Sequence, residues 1–464
     1  MVGNTGRKVT ILLAAASLLL PLTSCQGGAG PTVARAPSPG ATTAASAPTS
    51  RPSPTPTKTY ELTVRTVPKH AKITVTGFGG RTKTGTTPWS GSVRGADAQV
   101  EISKDGYNTV HRQLDLTTRD KLKAWLDPEG LLLSSRWRAD SGGNPKQVAY
   151  TPDGEELWVT LLVEGELKIF DADNGKLLDT ISLGDEHGSV EVIFTEDGET
   201  AYVSQMETSS VYEIDVDTRK VRRQISTEGV WSKVMALSPD ERTLYVSNWV
   251  SDDVSVIDLD KGETVKRIPT VTKPRGLYVT ADGRRLYVAG YEKGAIQRIN
   301  LRTGHKEVLV RTGSAMRHLV GDPRTKTLYA SDMGEDAIFE VDMATGKVSK
   351  LAEVDDHPNT IQLGSNGRVL FVSCRGRNNP ESYYLPGPEW GSVVLVDTRT
   401  GRLLDAVVGG NQTTGLDVSD DGNRLAFSDF LDGRIRTYAI PSYKTLINGN
   451  GGRVQEHYAE LEKD

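Results

Sequence analysis

The sequence predicts an all-β protein, most of which is built from one repeated four-stranded unit. Two observations lead to this fold class. Apolar and polar residues alternate along most of the chain after residue 58, as half-buried strands require. In addition, one dipeptide pattern returns seven times, at spacings of 44, 43, 42, 42, 42 and 55 residues. The first members of these dipeptides are Leu157, Ala201, Leu244, Leu286, Leu328, Leu370 and Leu425.

Each repeat contains four short stretches with strand character, separated by turns such as "TPDGEE" and "ATGK". Four strands in about 42 residues describe one blade of a β-propeller, and a closed ring of blades leaves only short sheet edges. Residues 129–447 are therefore expected to form a seven-bladed propeller. Two segments compete for the last strand of the ring, residues 130–138 and residues 442–447, and the first is preferred.

The "LYVSN" core of the repeats and their "PDG" turns resemble the YVTN-type β-propellers, including the YncE-like periplasmic proteins. The resemblance covers about residues 130 to 447 and implies the propeller architecture. It does not imply one activity, because propellers host lactonases, lyases, redox enzymes and binding modules on the same scaffold.

The first 25 residues have the pattern of an export signal. Arg7 and Lys8 precede an apolar stretch that is too short for a transmembrane helix, and small residues follow. The end of this stretch, "LTSC", resembles the lipobox of bacterial lipoproteins, which implies cleavage before Cys25 and acylation of its sulfur. Two or three acyl chains such as palmitate anchor a protein durably. We therefore expect an extracytoplasmic protein whose acylated Cys25 binds the lipid of a bacterial cell membrane; the alternative is a secreted protein.

Residues 26–58 contain many prolines among Ala, Ser, Thr and Gly and no apolar period. Such a composition predicts a disordered tether with partial polyproline character.

Residues 59–128 alternate as "YELTVRTV" and "AQVEISKDGY", with Gly, Pro and Thr turns between the alternating stretches, which predicts a small β-sandwich-like module. The pieces "KITVTG", "TGTTPWSG" and "VEISKDGY" resemble the PEGA domain, although "PKHA" stands where the namesake tetrapeptide would be. The resemblance implies attachment or spacing. The polar tail of residues 448–464 is expected to be peripheral.

The whole-chain composition bears on two classes. The formal net charge is −5, so no global attraction to nucleic acid is expected. Only two cysteines are present, which excludes a disulfide framework.

The repeat also locates the mouth of the propeller. Eleven residues before each dipeptide lies the position where the innermost strand of a blade leaves the top-face loop. Its occupants are Lys146, Val190, Lys233, Arg275, Arg317, Asn359 and Thr414. A second ring, at the start of the loop between the second and third strands, consists of Leu162, Met206, Trp249, Tyr291, Met333, Arg375 and Phe430. Four cations in the first ring predict a site that attracts anions.

Blade 6 carries 13 additional residues in that top-face loop, within "CRGRNNPESYYLPGPEWG". The insertion adds further candidate ligand-binding residues, which are Arg375, Arg377, Tyr383, Tyr384 and Trp390. The aromatic members, together with Trp249 and Tyr291, offer stacking surface. Cys374, at the start of the loop, is expected to be exposed near the mouth.

The competing interpretation is structural: the cations pair with Glu191, Asp332 and Asp429, and the bulky ring packs between blades. We prefer a binding or scaffolding protein that recognises an anionic envelope ligand or partner protein at the top face. The main alternative is a lactonase-like hydrolase with a top-face acid/base pair. No nucleophile motif is present, so whether the protein is an enzyme stays open.

Two other hypotheses have less support. His187, His318 and His357 lie near the starts of innermost strands and are weak candidates for metal ligands, but "HExxH" is absent. Single-stranded nucleic acid would suit basic and stacking groups together, yet an exported protein of negative charge is not expected to meet it. No cofactor is predicted. "DADNG", at the end of the third strand of blade 1, is interpreted as a hairpin turn rather than a calcium loop, because the required glutamate is missing.

Overall fold

A computed structural model describes residues 58–184, 187–449 and 452–463. The predicted export signal with Cys25, and the predicted tether up to residue 57, lie outside the described residues. Within the described part, no helix is long and apolar enough to cross a membrane.

The N-terminal module consists of seven strands in two sheets. The strands are β1 (Thr59–Val67), β2 (Lys72–Thr76), β3 (Thr82–Thr86), β4 (Trp89–Arg94), β5 (Asp97–Lys104), β6 (Tyr107–Asp115) and β7 (Lys121–Trp125). One sheet has the order β4-β1-β7, in which β1 and β7 are parallel, and the other has the order β3-β2-β5-β6. Buried residues of both sheets, among them Leu62, Val64, Ile73 and Ile102, form one apolar core. The predicted β-sandwich-like module is thereby confirmed.

Seven four-stranded antiparallel sheets follow, one for each sequence repeat. Strand β8 (Ser134–Asp140) precedes them. Blades 1 to 3 contain β9 (Pro145–Tyr150), β10 (Glu156–Leu161), β11 (Glu166–Asp171), β12 (Leu177–Ser182), β13 (Ser189–Phe194), β14 (Thr200–Gln205), β15 (Ser210–Asp215), β16 (Lys220–Ser226), β17 (Ser232–Leu237), β18 (Thr243–Asn248), β19 (Asp253–Asp258) and β20 (Glu263–Pro269). Blades 4 and 5 contain β21 (Pro274–Val279), β22 (Arg285–Gly290), β23 (Ala295–Asn300), β24 (Lys306–Arg311), β25 (Met316–Asp322), β26 (Thr327–Asp332), β27 (Ala337–Asp342) and β28 (Val348–Glu353). Blades 6 and 7 contain β29 (Pro358–Gly364), β30 (Val369–Cys374), β31 (Ser392–Asp397), β32 (Leu403–Val408), β33 (Thr413–Val418), β34 (Arg424–Asp429) and β35 (Arg434–Ala439).

The ring is closed by β8, which pairs antiparallel with β35 and completes blade 7. The preferred closing segment is therefore confirmed. Its competitor forms helix α1 (Tyr443–Asn448) instead. Ser442 caps this helix by accepting a hydrogen bond from the Thr445 amide, and Leu446 buries its apolar face.

The "S" of the "LYVSN" repeat core fixes neighbouring blades to one another. In five blades this hydroxyl donates to the carbonyl of the second residue of the next innermost strand, at 2.5 to 3.0 Å. The donors are Thr160, Ser204, Ser247, Ser331 and Ser373. Each acceptor belongs to a first-ring position at the mouth, and two of them are the carbonyls of Lys233 and Arg275, so the repeat motif positions these two candidate site residues directly.

The turns follow from local side-chain chemistry. In "TPDG", the Asp153 carboxylate accepts from the Thr151 hydroxyl at 2.6 Å and from the Glu155 amide at 2.9 Å. In "DADNG", Asp171 accepts the amides of Asp173 and Asn174, and Gly175 adopts φ +74°. The interpretation of this motif as a hairpin turn is confirmed.

The C-terminal tail is not peripheral, so that expectation was wrong. His457 in this tail is fully buried, and helix α2 (Tyr458–Leu461) buries Leu461. His457 Nε2 lies 2.9 Å from Asp355, and its Nδ1 lies 2.9 Å from the Val454 carbonyl. Because both partners are acceptors, both ring nitrogens donate and the imidazole is protonated. Burial works against this charge, but the Asp355 carboxylate and the carbonyls outweigh it and raise the pKa of His457.

Candidate functional site

The first-ring position is the second residue of every innermost strand, so its four cations lie at one level of the channel mouth. Arg375 instead directly follows the second strand of blade 6. Lys146, Arg275, Arg317 and Arg375 are all at least nine-tenths buried, and Lys233 is half-buried. We refer to Lys146, Lys233, Arg275, Arg317 and Arg375 as the five mouth cations.

The five mouth cations repel one another. Burial lowers the pKa of Lys146 well below its ordinary value, and the charges of Arg317, Arg275 and Arg375 lower it further. Lys233 behaves in the same way, through burial and then through Arg275, Lys146 and Arg317. The structure thus brings cations of blades 1, 3, 4, 5 and 6 into one electrostatic group.

The predicted acidic partners do not neutralise this group. Asp429 is bound by Arg436 at 2.7 Å, and Asp332 accepts the Ala315 amide at 3.0 Å. In the part of the chain that the structure describes, none of the five mouth cations forms a salt bridge. The Nε atoms of Arg275 and Arg375 are buried without a hydrogen-bond partner there. Pairing with neighbouring acids therefore does not explain the ring.

Among the described residues, Glu191 is the carboxyl group whose negative charge acts on the mouth cation Arg275. Burial raises the pKa of Glu191 to about 7, although the Met235 amide, 2.8 Å from Oε2, and the charge of Arg275 oppose the rise.

Glu191 directly follows the first-ring position of blade 2, and His318 directly follows the first-ring position of blade 5. His318 accepts the Ile361 amide at 3.4 Å, and burial with Arg275 and Arg317 lowers its pKa to about 3. The sequence analysis named Glu191 only as a partner for the cations and His318 only as a metal-ligand candidate, and it did not consider the position after the first ring as a ring of its own.

The blade 6 insertion reaches across the mouth. Tyr383 accepts a hydrogen bond from Lys146 at 3.2 Å, its ring lies 4.2 Å from the Arg375 guanidinium, and its carbonyl accepts from Gln412 at 2.7 Å. It also makes an edge contact with Phe430 of blade 7. Tyr384, which is exposed, lies within electrostatic reach of Glu207 on blade 2. The loop therefore covers one side of the mouth as a lid.

The other side of the mouth carries aromatic groups of blades 3 and 4. Lys233 Nζ lies 4.0 Å from the Trp249 ring centroid, and Trp249 is 4.8 Å from Tyr291. Both rings are half-buried, so each keeps a solvent-facing part. Aromatic faces stabilise a cation that lacks a carboxylate partner.

Two predicted residues lie outside this group. Arg377 is exposed and binds Glu389 at 2.6 Å and Asp356 at 3.7 Å, so it fastens the base of the lid. Trp390 lies beneath the Lys463 ammonium at 4.5 Å, and its amide donates to the Leu461 carbonyl. The tail and the lid are further joined by Lys463 Nζ, which donates to the Gly387 carbonyl at 2.7 Å.

The three candidate histidines do not converge. His187 pairs with Glu207 at the surface, and His318 is half-buried between blades 5 and 6. His357 is half-buried, and its Nδ1 has no hydrogen-bond partner among the described residues. Among the described residues, no group of three or more potential metal ligands is present.

Cys374 is fully buried, so the expectation that it is exposed was wrong. Burial raises the pKa of its thiol well above the ordinary value, and the negative charge of Asp355 adds to this effect. The thiol therefore packs in the blade and is not activated by Arg375 or Arg377.

A separate cavity of about 550 Å³ lies at the opposite face, between the turns of blades 5, 6 and 7. Its polar lining includes Asp322, Gln362 and Asp420 but none of the five mouth cations.

Comparison with known proteins agrees with this architecture. Residues 135–313 match the family described as "Lactonase, 7-bladed beta-propeller", and residues 59–128 match the PEGA domain. The chain is 34% identical over 356 residues to "Antigen Lp49" of Leptospira interrogans serogroup Icterohaemorrhagiae serovar copenhageni (strain Fiocruz L1-130), covering 74% of this chain and 77% of that protein. A chain of the solved "Kuenenia stuttgartiensis Hydrazine Synthase" superposes with a TM-score of 0.56 at 19% identity, over 64% of this chain and 95% of that chain. At this identity, the likeness to the solved chain shows the fold alone.

Proposed function

The chain belongs to the same family as Antigen Lp49, with a lactonase-type seven-bladed propeller behind a PEGA domain, and from this premise we propose that it is a binding protein for an anionic ligand. The ligand binds at the mouth of the propeller. The observation that carries the proposal is the burial of cations from four blades, with the half-buried Lys233 of a fifth, and none of them forms a salt bridge with a described residue.

Such an arrangement costs stability in the absence of a ligand. A buried charge without a partner is disfavoured by several kcal/mol, an order of magnitude typical of buried ions. Groups placed so unfavourably are concentrated at functional sites, where a ligand repays the cost. Arginines are suited to the planar oxygens of carboxylate and phosphate, which accept two hydrogen bonds from one guanidinium.

The location of the protein is part of the same proposal. The "LTSC" motif supports acylation of Cys25 and an extracytoplasmic position at a bacterial membrane. The proline-rich segment that follows supports a tether, which would present the mouth to an envelope ligand or partner protein. Incorporation of labelled palmitate in the wild type, and its loss in Cys25→Ser, is the expected result. Equal labelling of both proteins would refute the anchor.

Ligand binding is tested with a matched pair of arginine variants. Arg317→Gln removes a buried mouth cation, whereas Arg302→Gln removes an exposed arginine in the turn after β23, away from the mouth and the lid. We expect native mass spectrometry of protein from a membrane fraction to detect an acidic molecule on the wild type and on Arg302→Gln. Its affinity should fall at least tenfold in Arg317→Gln. Equal retention by both variants would contradict the proposal.

Lactone hydrolysis is a second candidate, favoured by the family match and by Glu191. With a pKa raised to about 7, Glu191 is suited to take a proton from the attacking water near neutral pH. Arg275, within its electrostatic reach, would stabilise the oxyanion of the opening ester. Ring opening of an anionic lactone by the wild type, lost in Glu191→Gln, would establish this activity. Equal rates in both would remove Glu191 from consideration.

A further inference from the structure

Three of the five mouth cations form two subsites on opposite sides of the ring, and Arg275 and Arg317 lie between them in blade order. The lid-side subsite contains Lys146 and Arg375, beside Tyr383 and Phe430. The open-side subsite contains Lys233, beside Trp249 and Tyr291. Resting on the proposed function, we infer that the ligand carries two separated anionic groups, such as two carboxylates or two phosphates, and that each group occupies one subsite.

The lid-side subsite is already shaped for an oxygen acceptor. Lys146 Nζ donates to the Tyr383 hydroxyl at 3.2 Å, and the same ammonium lies 5.1 Å from the Phe430 ring centroid. Arg375 is 2% exposed and donates to Gln412, while its Nε has no partner among the described residues. A carboxylate or phosphate oxygen here can replace the phenol oxygen as the acceptor from Lys146 and can also accept from Arg375.

The open-side subsite differs in its access. Lys233 lies 4.0 Å from the Trp249 ring centroid and 5.8 Å from that of Trp231, which is 42% exposed. Tyr291 stacks obliquely on Trp249. Half-buried aromatic faces beside an ammonium suit an anionic group joined to an apolar or planar spacer.

Blade order separates the two subsites. Blades 6, 7 and 1 are consecutive in the ring, whereas blades 3 and 4 lie on its opposite side. The charge of Arg375 lowers the pKa of Lys146, the charge of Lys146 lowers the pKa of Lys233, and Arg275 and Arg317 act on both lysines. Arg275 and Arg317 therefore connect the subsites electrostatically.

One monovalent anion cannot neutralise the positive charge of both subsites. Bound at one subsite, it leaves the other lysine facing two arginines without a counter-charge. Two anionic groups on one molecule satisfy both subsites, and the second contact then forms at a high effective concentration. The affinity should therefore depend on the spacing of the two groups.

The test is calorimetric titration of the full chain in a chloride buffer. The probes are acetate, the linear dicarboxylates from malonate to suberate, phosphate and pyrophosphate. We expect one diacid to bind at least tenfold tighter than acetate, with one molecule per chain and an optimum in spacer length. Lys233→Met should remove this advantage, and Arg302→Gln, which alters an exposed arginine in the turn after β23, should retain it.

The outcomes separate this inference from the proposed function. Diacids that bind no tighter than acetate, or two ions bound per chain without spacer dependence, would overturn the two-subsite ligand but leave anion binding intact. If no probe bound the wild type, and native mass spectrometry found no acidic ligand either, anion binding itself would fail. Because the diacid comparison uses the wild type, it decides the matter even where Lys233→Met does not fold.

Discussion

Replacing Lys146 by methionine is expected to stabilise the ligand-free protein. The Lys146 side chain is 8% exposed, its pKa is lowered well below the ordinary value by burial and by Arg317, Arg275 and Arg375, and it has no acidic partner in the described chain. Each unit of pKa lowering corresponds to about 1.4 kcal/mol of destabilisation when the lysine must be charged. Loss of the Tyr383 hydrogen bond costs about 1 kcal/mol. We expect a net gain of about 2 kcal/mol in the free energy of unfolding at pH 7.

The effect should depend on pH with a fixed sign. A lysine whose pKa is lowered by folding binds fewer protons in the folded state than in the unfolded state. The stability of the wild type therefore rises with pH, by at most about 1.4 kcal/mol per unit, until the unfolded-state pKa near 10.4 is reached. The difference between Lys146→Met and the wild type should accordingly shrink between pH 7 and pH 10.

Urea denaturation followed by tryptophan fluorescence measures this difference. The buffer must exclude phosphate and carboxylates, because an anion present at 100 times its Kd would add about 2.7 kcal/mol to the wild type. Lys444→Met, which alters an exposed lysine at the opposite face, is the control and should stay within about 0.5 kcal/mol of the wild type. A transition midpoint of Lys146→Met that is unchanged or lower than that of the wild type would refute the reasoning.

Three further predictions concern the tail, the thiol and the lid. Asp355→Asn leaves the buried His457 without its carboxylate and should cost about 3 kcal/mol in unfolding free energy. Since folding raises the pKa of His457, the contribution of this pair is complete below pH 6.5 and declines as pH rises through the folded-state value, and a contribution that increased with pH above 6.5 would contradict this. Cys374 should resist iodoacetamide in the native protein and react in urea, as read by mass spectrometry of its peptide, and native labelling would show that the thiol is accessible. Residues 380–385 can be replaced by two glycines, because Asn379 and Pro386 on either side are already hydrogen-bonded at 3.0 Å. This change should preserve the circular dichroism of the blades and weaken anion binding at least tenfold, because it removes Tyr383; unchanged affinity would exclude a role for Tyr383.

The fold was predictable because its physical causes are local and repeated. The turn at residues 151–154 is stabilised by a hydrogen bond between Thr151 and Asp153, which are only two residues apart. The alternation of apolar and polar residues along β10 or β18 is visible at neighbouring positions. Closure by β8 was predictable for a related reason, since the ring needed one more strand and residues 130–138 offered strand character next to blade 1. The shared level of Lys146, Lys233, Arg275 and Arg317 followed from the same register.

Contacts between distant segments were not predictable. His457 and Asp355 are about 100 residues apart, and no periodic pattern relates them, so the tail was mistaken for a peripheral segment. Cys374 was assigned to the surface because polar residues occupy the equivalent places in other blades. Cys374 instead packs in the apolar core between blades 5 and 6, and His457 of the tail binds Asp355, whose charge acts on the thiol.

The amino-acid sequence by itself determined the all-β class, the seven blades, the N-terminal module and the positions that face the mouth, because strand alternation and turn chemistry act over a few residues. Only the tertiary structure decided that the mouth cations lack acidic partners, that Tyr383 reaches Lys146 and that the tail holds the lid. These properties depend on which side chains meet across the ring, and burial then sets the strength of the charges that meet there.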